Sequence, residues 1–144
     1  MARPWMLPDM PKILLVEDNE ASADALARRL ERRNYQVRVA ADGVQAVEMA
    51  KSEKPDLILM DLGLPKMDGW DATAHLKNNP ETSGIPIIVL SARAMPNDRH
   101  QALAAGGDDF DSKPVQFDRL LEKIETLLMM TRGGEATNES ASGT

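Results

Sequence analysis

The chain has 144 residues, of which 42% are hydrophobic and 28% are charged, and this composition excludes a fibrous repeat and a wholly disordered chain. Its formal net charge of −6 disfavours nonspecific binding to nucleic acid or to an anionic membrane. The absence of cysteine excludes disulfides and thiolate zinc sites, and two histidines are too few to favour a multi-histidine metal site.

Both ends of the chain have the composition of tails around one domain. Residues 1–11 contain three prolines, and residues 131–144 offer almost nothing to bury. We therefore expect a flexible N-terminal arm over residues 1–11, one domain over residues 12–130 and a disordered C-terminal tail over residues 131–144. No apolar run has the length of a membrane span, and the start of the chain is not a signal peptide, so the sequence predicts a cytoplasmic protein.

Short apolar runs predict the strands of the domain. Three of these runs are continuous, which is typical of strands buried on both faces, and they cover residues 13–16, 57–60 and 87–90. Residues 35–39 instead alternate between apolar and polar side chains, which favours a strand at the edge of a sheet. A short apolar piece at 109–112 predicts a fifth strand.

Helical spacing fills the gaps between the predicted strands. The predicted helices run from 19 or 20 to 33, from 42 to 52, from 68 or 69 to 78, from 96 to 105 and from 117 to 128. Strands that alternate with helices in this way predict parallel strands joined by right-handed crossovers. We expect an α/β domain on a doubly wound five-stranded sheet of order 2-1-3-4-5, with its site at the carboxyl ends of strands one and three.

Five polar side chains follow the ends of the predicted strands. They are Glu17, Asp18, Asp61, Ser91 and Lys113. Each residue alone fits a helix cap or a turn, but five of them at one rim indicate a site. Three carboxylates that repel one another need a cation, and oxygen ligands without histidine or cysteine indicate a hard ion such as Mg²⁺. A carboxylate beside such a metal can take a phosphoryl group, which a lysine and a hydroxyl then stabilise.

Four motifs in the chain resemble the receiver domain of two-component response regulators. They are ILLVEDNE at 13–20, PDLILMDLGLPKMDG at 55–69, IPIIVLSA at 85–92 and AGGDDFDSKPV at 105–115. The motifs occur in order and with suitable spacing over about residues 12–130, so the resemblance is more specific than any single motif. It implies a flavodoxin-like (βα)5 fold and a phosphorylation-dependent signalling switch.

The resemblance also implies roles for the acidic residues. Asp61 matches the phosphoacceptor, and Glu17 and Asp18 match the acidic pair that holds Mg²⁺, with Mn²⁺ as the alternative ion. In this comparison Asp18 is the direct ligand and Glu17 acts through water. Gly63 matches the position whose backbone carbonyl binds the metal, and it lacks a side chain that guides or blocks an attacking water.

The remaining matches concern switching. Ser91 matches the switch hydroxyl, Phe110 the aromatic that changes rotamer on phosphorylation, and Lys113 the lysine that contacts the phosphoryl group. The Lys113–Pro114 bond is expected to be cis, as in similar domains. Arg93 occupies a variable position that, like Gly63, adjusts the lifetime of the phosphoryl group.

The resemblance implies partners rather than substrates. The expected phosphodonor is a histidine kinase or a histidine phosphotransfer protein. The expected output is a protein contact through the face of the fourth helix, fifth strand and fifth helix, or passage of the phosphoryl group onward, without nucleic acid or membrane. Because only a small polar tail follows Met130, we expect a stand-alone regulator of the chemotaxis or cell-cycle kind, with a receiver cut from a larger protein as the alternative. Its only reactions would be self-phosphorylation from small donors and self-dephosphorylation.

Two other functions remain as alternatives. One is a phosphohydrolase that uses Asp61 as a nucleophile, although such enzymes need a second aspartate where this chain has Gly63. The other is a phosphate-independent pseudo-receiver, although every chemical position of the family pattern is filled.

Several further residues have simpler interpretations. The arginines of the first predicted helix form a solvated face that also suits docking of the phosphodonor; they are Arg28, Arg29, Arg32 and Arg33. Trp70 is interpreted as a packing residue, with contact to a partner as the less favoured alternative, and His75 and His100 are interpreted as surface residues. Four methionines are predicted to pack in the core, and they are Met60, Met67, Met129 and Met130.

Overall fold

Five parallel strands form one sheet of order β2-β1-β3-β4-β5 in the computed structural model, which describes residues 10–64, 67–91, 100–101 and 103–133. The strands are β1 (Lys12–Val16), β2 (Gln36–Ala40), β3 (Leu57–Asp61), β4 (Ile87–Ser91) and β5 (Asp109–Ser112). The helices are α1 (Glu20–Glu31), α2 (Gly43–Glu53), α3 (Gly69–Lys77) and the C-terminal helix (Phe117–Leu128). The predicted fold and strand order are thereby confirmed.

Parts of some predictions lie outside the described residues. Of the helix predicted at 96–105, residues 100, 101, 103 and 104 are helical, and residues 96–99 and 102 are outside the described part. Residues 1–9 of the predicted arm and 134–144 of the predicted tail are also outside it. A π-helical turn, Met129–Gly133, follows the C-terminal helix. None of the helices in the described ranges combines the length and the apolar character that a membrane span requires.

The sheet separates two cores because alternate residues of a strand face opposite sides. In β1, Ile13 and Leu15 pack with α1 and the C-terminal helix, whereas Leu14 and Val16 pack with α2 and α3. All residues of β3 and β4 are buried, which explains their continuous apolar sequence. The edge strand β2 shows a different pattern, in which Val37 and Ala40 are buried and Val39 is 42% exposed.

Three helices begin at capping residues. The side chains of Asn19, Asp42 and Asp68 accept hydrogen bonds from backbone amides in the first turns of α1, α2 and α3, at 2.9, 2.8 and 2.9 Å. Helix α1 ends before the predicted Arg33, because the amides of Arg33 and Asn34 bond to carbonyls three residues earlier in a tighter turn. Asn34 then takes a left-handed conformation with φ of 71°.

The prediction that all four methionines pack in the core is wrong for two of them. Met60 is fully buried and Met67 packs at the edge of a core, but Met129 and Met130 are 69% and 65% exposed. The buried stripe of the C-terminal helix ends at Leu128, and the next two residues turn away from the sheet. His75 and His100 are exposed, as predicted.

Candidate functional site

A cleft of about 580 Å³ opens at the carboxyl ends of the central strands. It is lined by Glu17, Asp18, Asn19, Ser22, Asp61, Leu62, Gly63, Trp70, Ser91 and Lys113. In this strand order the connection after β1 leads to β2 on one side, and the connection after β3 leads to β4 on the other side. A crevice therefore forms between the carboxyl ends of β1 and β3. The cleft therefore lies where the sequence predicts a site.

Three carboxylates meet in this cleft. Glu17, Asp18 and Asp61 each bring one oxygen within 4.8 Å of the others, and Glu17 and Asp61 are buried whereas Asp18 is exposed. Glu17 is held at the end of β1, because its amide donates to the carbonyl of Ala40 at 2.9 Å. Its carboxylate accepts a hydrogen bond from the amide of Asn19 at 3.1 Å.

Lys113 connects two of the three carboxylates. Its Nζ lies 2.7 Å from Glu17 Oε1 and 3.2 Å from Asp61 Oδ1. The backbone positions this side chain, because the Lys113 amide donates to the carbonyl of Ser91 at 2.8 Å. Burial lowers the pKa of Lys113, but the hydrogen bond to Glu17 and the charge of Asp61 outweigh it, so the pKa is raised. The Lys113–Pro114 bond is cis, as predicted.

The charges of the cleft fit a divalent cation. Among the described residues, three carboxylates face one ammonium group, which leaves an excess of two negative charges in a partly buried space. The donors are oxygen atoms, which suit Mg²⁺ or Mn²⁺ rather than a softer ion. Gly63 lies at the mouth of the cleft, where its amide is 3.4 Å from Asp61 Oδ1.

The two predicted switch residues occupy different places. Ser91 ends β4, is 4% exposed and lines the cleft. Phe110 lies in β5 beside Val89 of β4 and packs in the core under α2 and α3, so it does not line the cleft. Arg93 is outside the described residues.

Trp70 lines the cleft as well as packing against the core, and the sequence interpretation missed the first of these. It is the second residue of α3, which begins very close to the end of β3. A Cβ atom on Gly69 would lie 2.4 Å from the carbonyl oxygen of Asp61, so glycine is needed for this approach. In the sequence, the signal for this position of Trp70 is the pair Gly69–Trp70 shortly after Asp61, the last residue of β3.

The comparison with protein families agrees with this geometry. The family described as response regulator receiver domain matches residues 13–125. One curated relative is the DNA-binding dual master transcriptional regulator RpaA of Synechocystis, which is 35% identical over 122 residues, or 85% of this chain and 51% of the relative. The chain thus spans about half the length of the curated relatives it matches.

Solved structures share the fold. The CheY-like response regulator receiver domain protein from Methanospirillum hungatei has a TM-score of 0.81 and 28% identity, covering 88% of this chain and 99% of its own. The receiver domain of sensor histidine kinase PA1611 from Pseudomonas aeruginosa has a TM-score of 0.76 and 36% identity, covering 82% and 97%. That structure carries a magnesium ion coordinated in its active site cleft.

Proposed function

Because this chain belongs to the receiver domains of two-component response regulators, we propose that it is a phosphorylation-dependent switch that accepts a phosphoryl group on Asp61. The observation that carries the proposal is the contact of Lys113 with both Glu17 and Asp61, beside Asp18, where the strand order of the sheet reverses. A lysine and three carboxylates in one cleft provide charges of both signs for a phosphoryl group and its metal ion.

In the proposed metal site, Asp18 and Asp61 would hold Mg²⁺ or Mn²⁺ directly, with Glu17 through water and Gly63 through its carbonyl. A bound divalent ion supplies positive charge that offsets the carboxylates and the incoming phosphoryl oxygens. Receiver domains bind Mg²⁺ in this acidic pocket, and the oxygen donors gathered here suit that ion.

The transfer itself uses the residues of the cleft. An oxygen of Asp61 attacks phosphorus, the bond from phosphorus to the donor nitrogen breaks, and the electron pair of that bond stays on nitrogen. Lys113 then neutralises a phosphoryl oxygen, and the Ser91 hydroxyl donates a hydrogen bond to another. Receiver domains are signalling domains and not classical enzymes, so self-phosphorylation and self-dephosphorylation would be the only reactions of the chain.

The proposed donor is a histidine kinase or a histidine phosphotransfer protein, in the cytoplasm. A groove of about 250 Å³ adjoins the cleft and is lined by Ala25 and Leu26 of α1, by Pro114 and Val115, and by Arg29. This groove supports docking of the donor on α1. A phosphotransfer profile against the histidine kinases of the source organism would identify the donor, and Ala25→Glu should lower transfer from it relative to transfer from acetyl phosphate.

The proposed output is a protein contact through β5, the C-terminal helix and the helical residues before β5. In that region Leu103 is 44% exposed. RpaA is a DNA-binding regulator about twice as long as the matched region, and its DNA binding is not carried over to this chain.

Labelling with acetyl phosphate tests the acceptor and the metal site. Intact-mass spectrometry should show one added phosphoryl group in the presence of Mg²⁺, and none in Asp61→Asn or after chelation. Asp118→Asn, which removes an exposed carboxylate outside the cleft, is the matched control. Labelling that persists in Asp61→Asn would contradict the assignment of Asp61 as the phosphoacceptor. A wild-type chain that takes no label would favour the pseudo-receiver hypothesis.

A further inference from the structure

One aromatic side chain lines the cleft among the residues that the structure describes, and it is Trp70. Trp70 is half-buried, because it packs against the core under α2 and α3 while it also borders the cleft that holds Asp61. The other described lining residues are acidic, small polar or aliphatic apart from Lys113. None of these residues offers a flat apolar surface for a ring.

The cleft that Trp70 borders also has open space at Gly63. Gly63 lines the same cleft, and a Cβ atom added at this position would meet no atom of the described residues within 4 Å. The mouth of the cleft is therefore open beside the acceptor, where any larger residue would fill part of the space.

We propose that Trp70 and the open space at Gly63 form a subsite for the imidazole ring of the phosphodonor. This inference rests on the proposed function, and it names the part of the donor that the cleft recognises. A ring phosphorylated on one nitrogen and protonated on the other is a planar cation, which an indole binds by stacking and by cation–π attraction.

The subsite is compatible with a balanced transfer. The Asp61 oxygen forms the new bond to phosphorus as the phosphorus–nitrogen bond breaks, and the electron pair remains on the ring nitrogen. The ring leaves as neutral imidazole with its other proton in place, so no further reactant is needed. Trp70 would hold the ring during this step without taking part in bond formation.

Two small donors separate recognition of the ring from the transfer chemistry. N-phosphoimidazole and phosphoramidate both carry a phosphorus–nitrogen bond, but only the first has a ring. The quantity measured is the rate constant for phosphorylation of Asp61 by N-phosphoimidazole divided by that for phosphoramidate, both in the presence of Mg²⁺. We expect this ratio to fall about 2- to 10-fold in Trp70→Leu, the range that loss of one aromatic contact gives. Trp70→Phe should retain most of the ratio because it keeps an aromatic ring.

The controls address folding and the simpler packing role of Trp70. Phe117→Leu removes an aromatic residue that does not line the cleft and should keep the wild-type ratio. Gly63→Leu fills the open space and should lower the ratio as Trp70→Leu does, so it decides the question if Trp70→Leu fails to fold. An unchanged ratio in the folded variants, or equal losses with both donors, would overturn the subsite. Labelling of Asp61→Asn would instead overturn the proposed function.

Discussion

Lys113 is the residue on which the charge balance of the cleft depends. Its ammonium group touches Glu17 and Asp61, which are 8% and 6% exposed, while its own side chain remains 24% exposed. Without this cation the two nearly buried carboxylates repel each other, and the amide hydrogen bonds from Asn19 and Gly63 replace only part of their lost solvation. The lysine therefore stabilises the metal-free protein as well as the proposed phosphorylated one.

We expect Lys113→Ala to lower the free energy of unfolding in EDTA by about 1–3 kcal/mol. This loss is smaller than that for breaking a fully buried ion pair, because the lysine is partly exposed. Mg²⁺ should recover part of the loss, because it supplies positive charge to the same carboxylates. Urea unfolding with and without Mg²⁺ measures both effects. Lys51→Ala, at an exposed lysine of α2, is the control, and a similar loss in that variant would contradict the explanation.

Tyr35 gives a clean test of electrostatics at a single residue, because it is the only tyrosine in the chain. Burial and the charge of Glu125 raise the pKa of its phenol, and Arg33 only partly opposes them. The folded state thus holds this proton more tightly than the unfolded state, whose pKa is about 10. This contribution to stability is complete below about pH 10 and is lost as the pH rises through the folded pKa.

The measurement for Tyr35 is a near-ultraviolet titration of phenolate absorbance in the folded protein. The midpoint should lie above that of the same chain in denaturant. Tyr35→Phe should flatten the fall of stability at alkaline pH relative to the wild type. A folded midpoint equal to the unfolded one would show that the phenol is not shielded as the structure indicates.

At the scale of elements, β5 is tied to the C-terminal helix by ionic contacts on both sides of Phe110. Arg119 Nη2 lies 2.7 Å from a carboxylate oxygen of Asp111, which is 5% exposed. Lys123 donates to the carbonyl of Phe110 at 2.6 Å and lies 3.7 Å from Asp109. The edge strand that carries the proposed switch aromatic is therefore held by two cations of one helix.

We expect Arg119→Met to destabilise the protein, because it leaves the Asp111 carboxylate buried without its main partner. Adding Asp111→Leu should restore much of the stability, since the double variant has no charge to bury. The urea midpoints of the wild type, both single variants and the double variant form a cycle that measures the coupling. Additive losses would show that the contact contributes nothing.

The sequence predicts elements better than it predicts their ends and neighbours. Continuous apolar runs of four residues indicate β3 and β4 because a strand buried on both faces is apolar along its length and such a run is too short for a helix. Periodicity does not show where a helix leaves its core, so Met129 and Met130 were wrongly predicted to be buried. The place of Trp70 in the cleft depends on the close approach of Gly69 to β3, which spacing alone does not reveal.

The acidic cluster was predictable for a reason that concerns the whole molecule. The carboxyl ends of parallel strands meet at one edge, so Glu17, Asp18 and Asp61 converge once the strand order is known. The contact of Lys113 with Glu17 spans 96 positions of sequence and joins the residue after β5 to the residue after β1. The family resemblance indicated a role for Lys113, but only the structure gives this partner.

Signal transmission across the molecule is expected to start at Ser91 and to reach Phe110 through the β4–β5 pair, in which Val89 is aligned with Phe110. A phosphoryl group adds about −1.5 to −2 charges and three acceptor oxygens, which favour movement of a nearby hydroxyl donor. To shift the ratio of switched to unswitched protein from 1:99 to 99:1, phosphorylation must stabilise the switched state by about 5.5 kcal/mol, which is more than one hydrogen bond supplies. We therefore expect a partial shift that binding of a partner completes.

Backbone NMR with beryllofluoride, a mimic of the phosphoryl group, tests this transmission. Chemical-shift changes should extend from the cleft to β5 and the C-terminal helix in the wild type. In Ser91→Ala the changes beyond the cleft should shrink while those around Asp61 remain. Distant changes of the same size in both proteins would remove Ser91 from the pathway.

The two exposed methionines after the C-terminal helix also have a chemical consequence. A thioether that water and peroxide can reach is oxidised to the sulfoxide far sooner than one enclosed by packed side chains. The thioethers of Met129 and Met130 are exposed to solvent, whereas that of Met60 is enclosed by packed side chains. Mild peroxide should therefore convert the exposed pair while the protein stays folded, and peptide mass spectrometry would show Met60 unmodified until the fold is lost.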